Sequence, residues 1–319
     1  MIIENYTKIL TNEIILIIEC CKISPDFILI EEKISQIKNW DNFISLSYSQ
    51  GVFPLVYKIL KKYDEKIPLD KPSFMKQTYM DIVKQNMLMT SELIKISKLL
   101  EENDIKSIAF KGPVLSMLAY GDVISRQYVD LDVLVDENEL LNAIEILKKN
   151  EYVLENDFKL ELLKNNRSIF HFVTLRKNAL VNIELHWRLF SDEYMTGIAD
   201  LNMEKNINFF EYQNNKLKVF DNEIQILYLS THGAKHNWER VEWLVDIVRF
   251  VENNVIDWKR LIDFIQITKT EKILFSTFYL CKNILDLSLP KEIEEKIQKV
   301  NVIKFSKRFE MFFYTNFDY

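Results

Sequence analysis

The chain has 319 residues, 48% of them hydrophobic, and its 41 basic and 47 acidic side chains give a formal charge of −6. That is enough for two or three domains with sizeable cores, and the acidic balance argues against a long nucleic-acid duplex as substrate. With only 5 Gly and 6 Pro, the chain lacks the turn residues of an all-β protein, and helices should dominate.

From Glu4 to about Asn103 the pattern is helical. The start has no cationic stretch leading into a secretory apolar core, and Ile14 to Ile18 is bounded by Glu13 and Glu19. Neither a leader nor a membrane span of about 18 apolar residues is expected. Cys20, Cys21 and Cys281 are odd in number and fit neither a disulfide framework nor a zinc spacing. We read them as reduced and the chain as cytoplasmic. Leu93, Ile96, Leu99 and Leu100 mark one helix face, with Glu92, Lys95 and Lys98 covering the other. Lys61 to Pro72 is polar, holds two prolines and reads as a surface loop or hinge.

Ile108-Ala109-Phe110 is a short apolar run ending in Lys111-Gly112-Pro113, and Val114 to Leu118 reads as a helix. Proline suits the first helical position. A glycine in such a turn lets backbone approach a phosphate, which the helix N-terminus attracts. A loop from Ala119 to Tyr128, carrying Arg126, leads into Val129 to Val135. Alternate strand residues share a face about 7 Å apart. Val129, Leu131, Val133 and Val135 then line an apolar face, and Asp130 and Asp132 the other. Neighbouring carboxylates repel unless they share a cation, and such oxygen donors suit Mg²⁺, which completes its shell with water and substrate phosphate. The plainer reading is a strand end with a solvated polar face.

Glu137 to Lys149 reads as a helix burying Leu140, Leu141, Ile144 and Leu147, and Tyr152 to Leu154 as a short strand. Ile169 to Arg176 and Leu180 to Arg188 read as a hairpin about Lys177-Asn178-Ala179. On its second strand Val181, Ile183, Leu185 and Trp187 are apolar, while Glu184 and His186 are polar. If that strand lies beside Asp130, Glu184 adds a third carboxylate.

Past Phe190 the chain turns helical again, after a short strand at Lys216 to Phe220, with Asp221 placed to cap a helix from Asn222. His232 and His236 have zinc-protease spacing, but Gly233 stands where the glutamate of that motif belongs. Helix packing is the plain account of this segment. The preferred expectation is that His232, Lys235, His236 and Arg240 face a cleft and touch a triphosphate or its acceptor. Asp246 interrupts the stripe of Trp243, Leu244, Ile247, Val248 and Phe250, and is expected to pair with Lys235, Arg240 or a histidine. From Trp258 onward the sequence offers packing residues and no chemical constellation.

Lys111-Gly112, Arg126, Asp130 with Asp132, and Glu184-Leu185-His186-Trp187 resemble the DNA polymerase β-like nucleotidyltransferase superfamily, and within it a group of uncharacterised bacterial nucleotidyltransferases. The likeness extends to Gly51 through Tyr57 and to His232 through Asp246. It departs from the superfamily where the usual Gly-Ser of the turn is replaced by Lys111-Gly112-Pro113. The resemblance implies an α+β fold, with a nucleotidyltransferase mixed β-sheet core (106–190) between an N-terminal helical region (1–105) and a C-terminal helical domain (191–319). It further implies transfer of a nucleoside monophosphate from an NTP to an acceptor hydroxyl with release of pyrophosphate. Asp130, Asp132 and Glu184 would hold one or two Mg²⁺ ions, with Glu184 as ligand or as general base. Lys111, the Gly112 backbone and Arg126 would neutralise phosphate charge, and His186 would lie on the nucleotide side. A small-molecule or peptide-derived acceptor is favoured over a protein. The alternatives are a toxin-like transferase acting on a protein or tRNA, and an inactive nucleotide-binding module.

Overall fold

The computed structural model describes residues 11–155, 170–178, 180–191, 197–200, 205–299 and 301–307. Among the described residues four helices come first: α1 (Asn12–Cys21), α2 (Phe27–Gln36), α3 (Trp40–Ser49) and α4 (Phe53–Leu60). The side chains of Thr11, Asp26 and Asn39 accept from first-turn N–H groups of α1, α2 and α3, satisfying donors that a helix start leaves orphaned. In α4 that place is taken by Pro54, which has no N–H to satisfy. Next comes α5 (Lys71–Glu101), 31 residues long. The polar loop foreseen before it ends at Asp70, because Pro72 is accommodated in the first turn. Glu92, expected on the solvent side, is buried on α5, where the Tyr152 hydroxyl and the Lys95 ammonium satisfy its carboxylate.

The central sheet follows, with β1 (Ser107–Ala109), α6 (Gly112–Tyr120), β2 (Leu131–Val135), α7 (Leu140–Lys149), β3 (Val153–Leu154), β4 (Phe172–Lys177) and β5 (Val181–His186) in chain order. The strand order is β1-β2-β5-β4-β3. The β2–β5 pair is parallel and the other pairs are antiparallel. β2 begins at Leu131, so Val129 lies before the strand and is 66% exposed instead of joining the apolar face. All five β2 residues are buried, as a central strand covered on both faces requires.

A hairpin of β6 (Ile207–Tyr212) and β7 (Asn215–Phe220) comes next. Gln213 and Asn214 close it with positive φ, the backbone of a primed two-residue turn. Helices follow: α8 (Asn222–Lys235), α9 (Val241–Asn253), α10 (Trp258–Thr268), α11 (Glu271–Leu285) and α12 (Lys291–Ile297), with residues 301–307 helical as well. Asp221 caps α8 as expected, accepting from the Ile224 N–H at 3.0 Å.

Two cores divide the sheet. Leu131, Val133, Val135, Ile183 and Leu185 pack with α7 and the last turns of α5 on one side. Ile108, Phe110 and Leu134 join a larger core that runs from Ile14 on α1 to Ile297 on α12. The three cysteines are free and buried. No helix among the described residues is long and apolar enough to cross a membrane.

Candidate active site

The site follows from one strand register. In the parallel β2–β5 pair, Asp132 lies opposite Glu184 and Leu134 opposite His186. Neighbouring strands are about 4.8 Å apart, so Asp132, Glu184 and His186 share a small area of one face. Their candidate ligand atoms all lie within 4.8 Å of one another. His186 Nε2 is 3.3 Å from Asp132 Oδ1 and 3.4 Å from Glu184 Oε2. Lys111, the N-cap of α6, reaches in from the other side with Nζ 2.8 Å from Asp132 Oδ1. Both Asp132 oxygens are buried without a hydrogen bond of good geometry, and the Lys111 ammonium stands nearest to Oδ1.

Burial and charge oppose each other at each group. Burial pushes the Asp132 carboxyl up, but Lys111 and His186 outweigh it and hold the carboxyl well below the usual range. Burial likewise pulls the Lys111 ammonium down, and Asp132 overrides it to keep the group charged. His186 is lowered by burial and raised by its bonds to Asp132 and Glu184, with a net upward shift. Asp130 precedes the strand and has no such partner. Burial, then the charge of Asp132, pushes it up to about 6.

These groups line one side of a cavity of about 760 Å³, within the range of small-molecule sites. His232, Lys235, His236 and Arg240 line the same cavity. Burial depresses both histidines below their ordinary value, so near neutral pH they are neutral hydrogen-bonding groups. Their rings lie 4.9 Å apart, and Trp243 packs 5.2 Å from His236 and edge-on at 5.5 Å from His232. Gly233 explains why the zinc-protease glutamate is absent. A Cβ there would fall 2.0 Å from the Trp238 ring, which is fully buried and packs back over the helix end.

Arg126 lines the cavity, with its Nε 2.9 and 3.0 Å from the two Asp246 oxygens. Asp246 therefore pairs with Arg126, and with the Tyr120 hydroxyl at 2.7 Å, instead of with Lys235, Arg240 or a histidine. Gly112, with φ +55°, is where the turn passes the Asp130 carbonyl: an added Cβ would stand 3.2 Å from that oxygen. The candidate ligand atoms that lie together are those of Asp132, Glu184 and His186, and Asp130 lines the same cavity just before β2.

Sequence reasoning missed Glu242 and His171. Glu242 lines the cavity, is 4% exposed, pairs with Arg240 at 3.1 Å and is pushed up to about 7 by burial. Its carboxylate covers Gly51, where a Cβ would fall 1.8 Å from Oε2. No periodicity marks so distant a pair. His171 precedes β4 and stands 5.9 Å from the His186 ring. The hairpin register, which pairs Phe172 with His186, was the available signal.

The acidic strand pair, with its buried Asp132 oxygens, and the imidazole form an oxygen-rich donor set that suits a divalent cation. No curated protein matches the chain. Among solved structures it is similar to an antigenic nucleotidyltransferase-like protein from Paracoccidioides brasiliensis, at 14% identity and a TM-score of 0.33, over 63% of this chain and 96% of the other. The profile of a family described as "Uncharacterised nucleotidyltransferase" matches residues 37–286, a span that holds every site residue named above, and the chain belongs to that family.

Proposed function

We propose that the protein is a Mg²⁺-dependent nucleotidyltransferase moving a nucleoside monophosphate from an NTP to a hydroxyl of a small-molecule or peptide-derived acceptor. The observation that carries this is the register setting Asp132 beside Glu184 at the wall of a nucleotide-sized cavity. Asp132, Glu184 and His186, with Asp130 adjacent, would hold the cation. When bound, it supplies neutralisation of triphosphate charge.

The chain's own groups have separable tasks. Lys235 and Arg240, in the same cavity lining, supply positive charge for the phosphates. Neutral His232 and His236 donate or accept hydrogen bonds without adding charge. Glu184, whose side chain is 25% exposed, either completes the cation's shell or takes the acceptor proton. Arg126 and Asp246 fix the loop before Asp130, so Arg126 acts on the phosphates by positioning.

The test is calorimetric titration with non-hydrolysable analogues of the four NTPs, with and without Mg²⁺. Wild type is compared with the Asp130→Asn, Asp132→Asn double variant. Binding that needs both the metal and the aspartates supports the proposal and names the base. Absence of binding by all four analogues would sink it.

A further inference from the structure

Two-metal transferases place two cations about 3.5 to 4 Å apart on shared carboxylate oxygens. In this chain a lysine ammonium stands against the carboxylate that such ions would share. Asp132 is the buried carboxylate at the centre of the cluster, and its Oδ1 receives the Lys111 ammonium at 2.8 Å. Neither oxygen has a hydrogen bond of good geometry, and the two cationic partners of the carboxylate, Lys111 Nζ and His186 Nε2, both approach it on the Oδ1 side, at 2.8 and 3.3 Å. The Oδ1 side is thus neutralised from within the protein, and the Oδ2 side is open to a ligand from outside.

Lys111 has little freedom to withdraw. Its side chain is 14% exposed. Its backbone caps α6, and the following Gly112 passes close enough to the Asp130 carbonyl that a Cβ would stand 3.2 Å from it. The turn carrying the lysine is therefore packed against the strand carrying the aspartates. A second divalent ion bridging Asp132 Oδ1 would have to sit against an ammonium at the same oxygen, where like charges repel strongly in a buried site.

We propose that this is a one-ion site, in which the Lys111 ammonium stands where a second metal would bind, and Asp132, Glu184 and His186 would hold a single divalent cation. The inference rests on the nucleotidyl-transfer reading and narrows it from one or two ions to one. It also gives the Lys-Gly turn a role distinct from the phosphate contact expected of it.

Equilibrium dialysis of the whole chain against Mn²⁺ and each α,β-methylene NTP, with metal and nucleotide counted on the protein side, tests it without turnover. One Mn²⁺ per bound nucleotide is expected for wild type, and two for Lys111→Ala, which removes the ammonium beside Oδ1. Two ions on wild type would overturn the inference and leave nucleotidyl transfer standing. One ion on both proteins would also overturn it, since Lys111 would not then be what excludes the second. No ion and no nucleotide on wild type would remove both readings. The wild-type count decides even if Lys111→Ala does not fold.

Discussion

The Lys111–Asp132 pair makes a thermodynamic prediction that needs no substrate. Both groups are buried and each is the other's main counter-charge, 2.8 Å apart. Asp132→Asn leaves a buried ammonium beside a neutral amide. Lys111→Met leaves a buried carboxylate with only the His186 imidazole. Removing one partner of a buried pair costs about 3 to 5 kcal/mol, because the survivor has neither water nor a counter-ion, whereas removing both leaves no uncompensated charge. Each single variant should therefore lose about 3 to 5 kcal/mol. The double variant should lose less than the sum by about 3 kcal/mol, a coupling typical of groups in direct contact. Urea unfolding followed by tryptophan fluorescence, in EDTA so that no metal contributes, measures all four proteins. Additive losses would mean that the two charges do not compensate each other, and the one-ion inference would fall with them.

Glu242 should make stability fall with rising pH. Its folded pKa is raised by burial from 4.5 to about 7, so its contribution is fully present below about 4.5 and is lost as pH rises through 7. At about 1.36 kcal/mol per pH unit this amounts to about 3 kcal/mol. Unfolding curves for wild type and Glu242→Gln should diverge by that much between pH 4.5 and 8, and parallel curves would refute the assignment. Glu184→Gln should lower Mg²⁺-dependent turnover at least about 100-fold whether the residue is ligand or base, measured as pyrophosphate release once an acceptor is found; near-normal rates would remove it from the site. Gly233→Ala forces a methyl into the Trp238 ring and should cost about 1 to 3 kcal/mol; an unchanged melting temperature would show that Trp238 does not depend on the missing side chain.

Local signals carried most of the fold. The alternation from Val181 to Trp187 placed Glu184 and His186 on one face, and the Asp221 cap gave the start of α8, because period and capping are written in adjacent residues. Strand limits were less legible. Val129 continues the alternation of β2 yet lies outside it, since the ladder with β5 starts at Leu131. Two-body electrostatics was illegible for a different reason. Arg126 and Asp246 are 120 residues apart, and no spacing rule links them. The same holds for Glu242 lying over Gly51, although both segments carry the family resemblance. β6 was missed because Gln213-Asn214 is not the Asn-Gly pair that announces a primed turn.

Paired and unpaired charge are distributed unevenly around the cavity. On the α9 side, Arg126 is matched by Asp246 and Arg240 by Glu242. These pairs tie the loop before Asp130, and the segment entering α9, to the helical half of the molecule. On the strand side, both Asp132 oxygens lack a hydrogen bond of good geometry, and Asp130 is held near 6 by burial and by its neighbour's charge. A buried carboxylate oxygen without a partner is costly, and packing alone would favour an apolar residue there. Electrostatic strain therefore remains at the β2–β5 face, as it does at buried Glu242 across the cavity lining. An incoming cation is the group that would remove that strain, so metal binding should stabilise the fold.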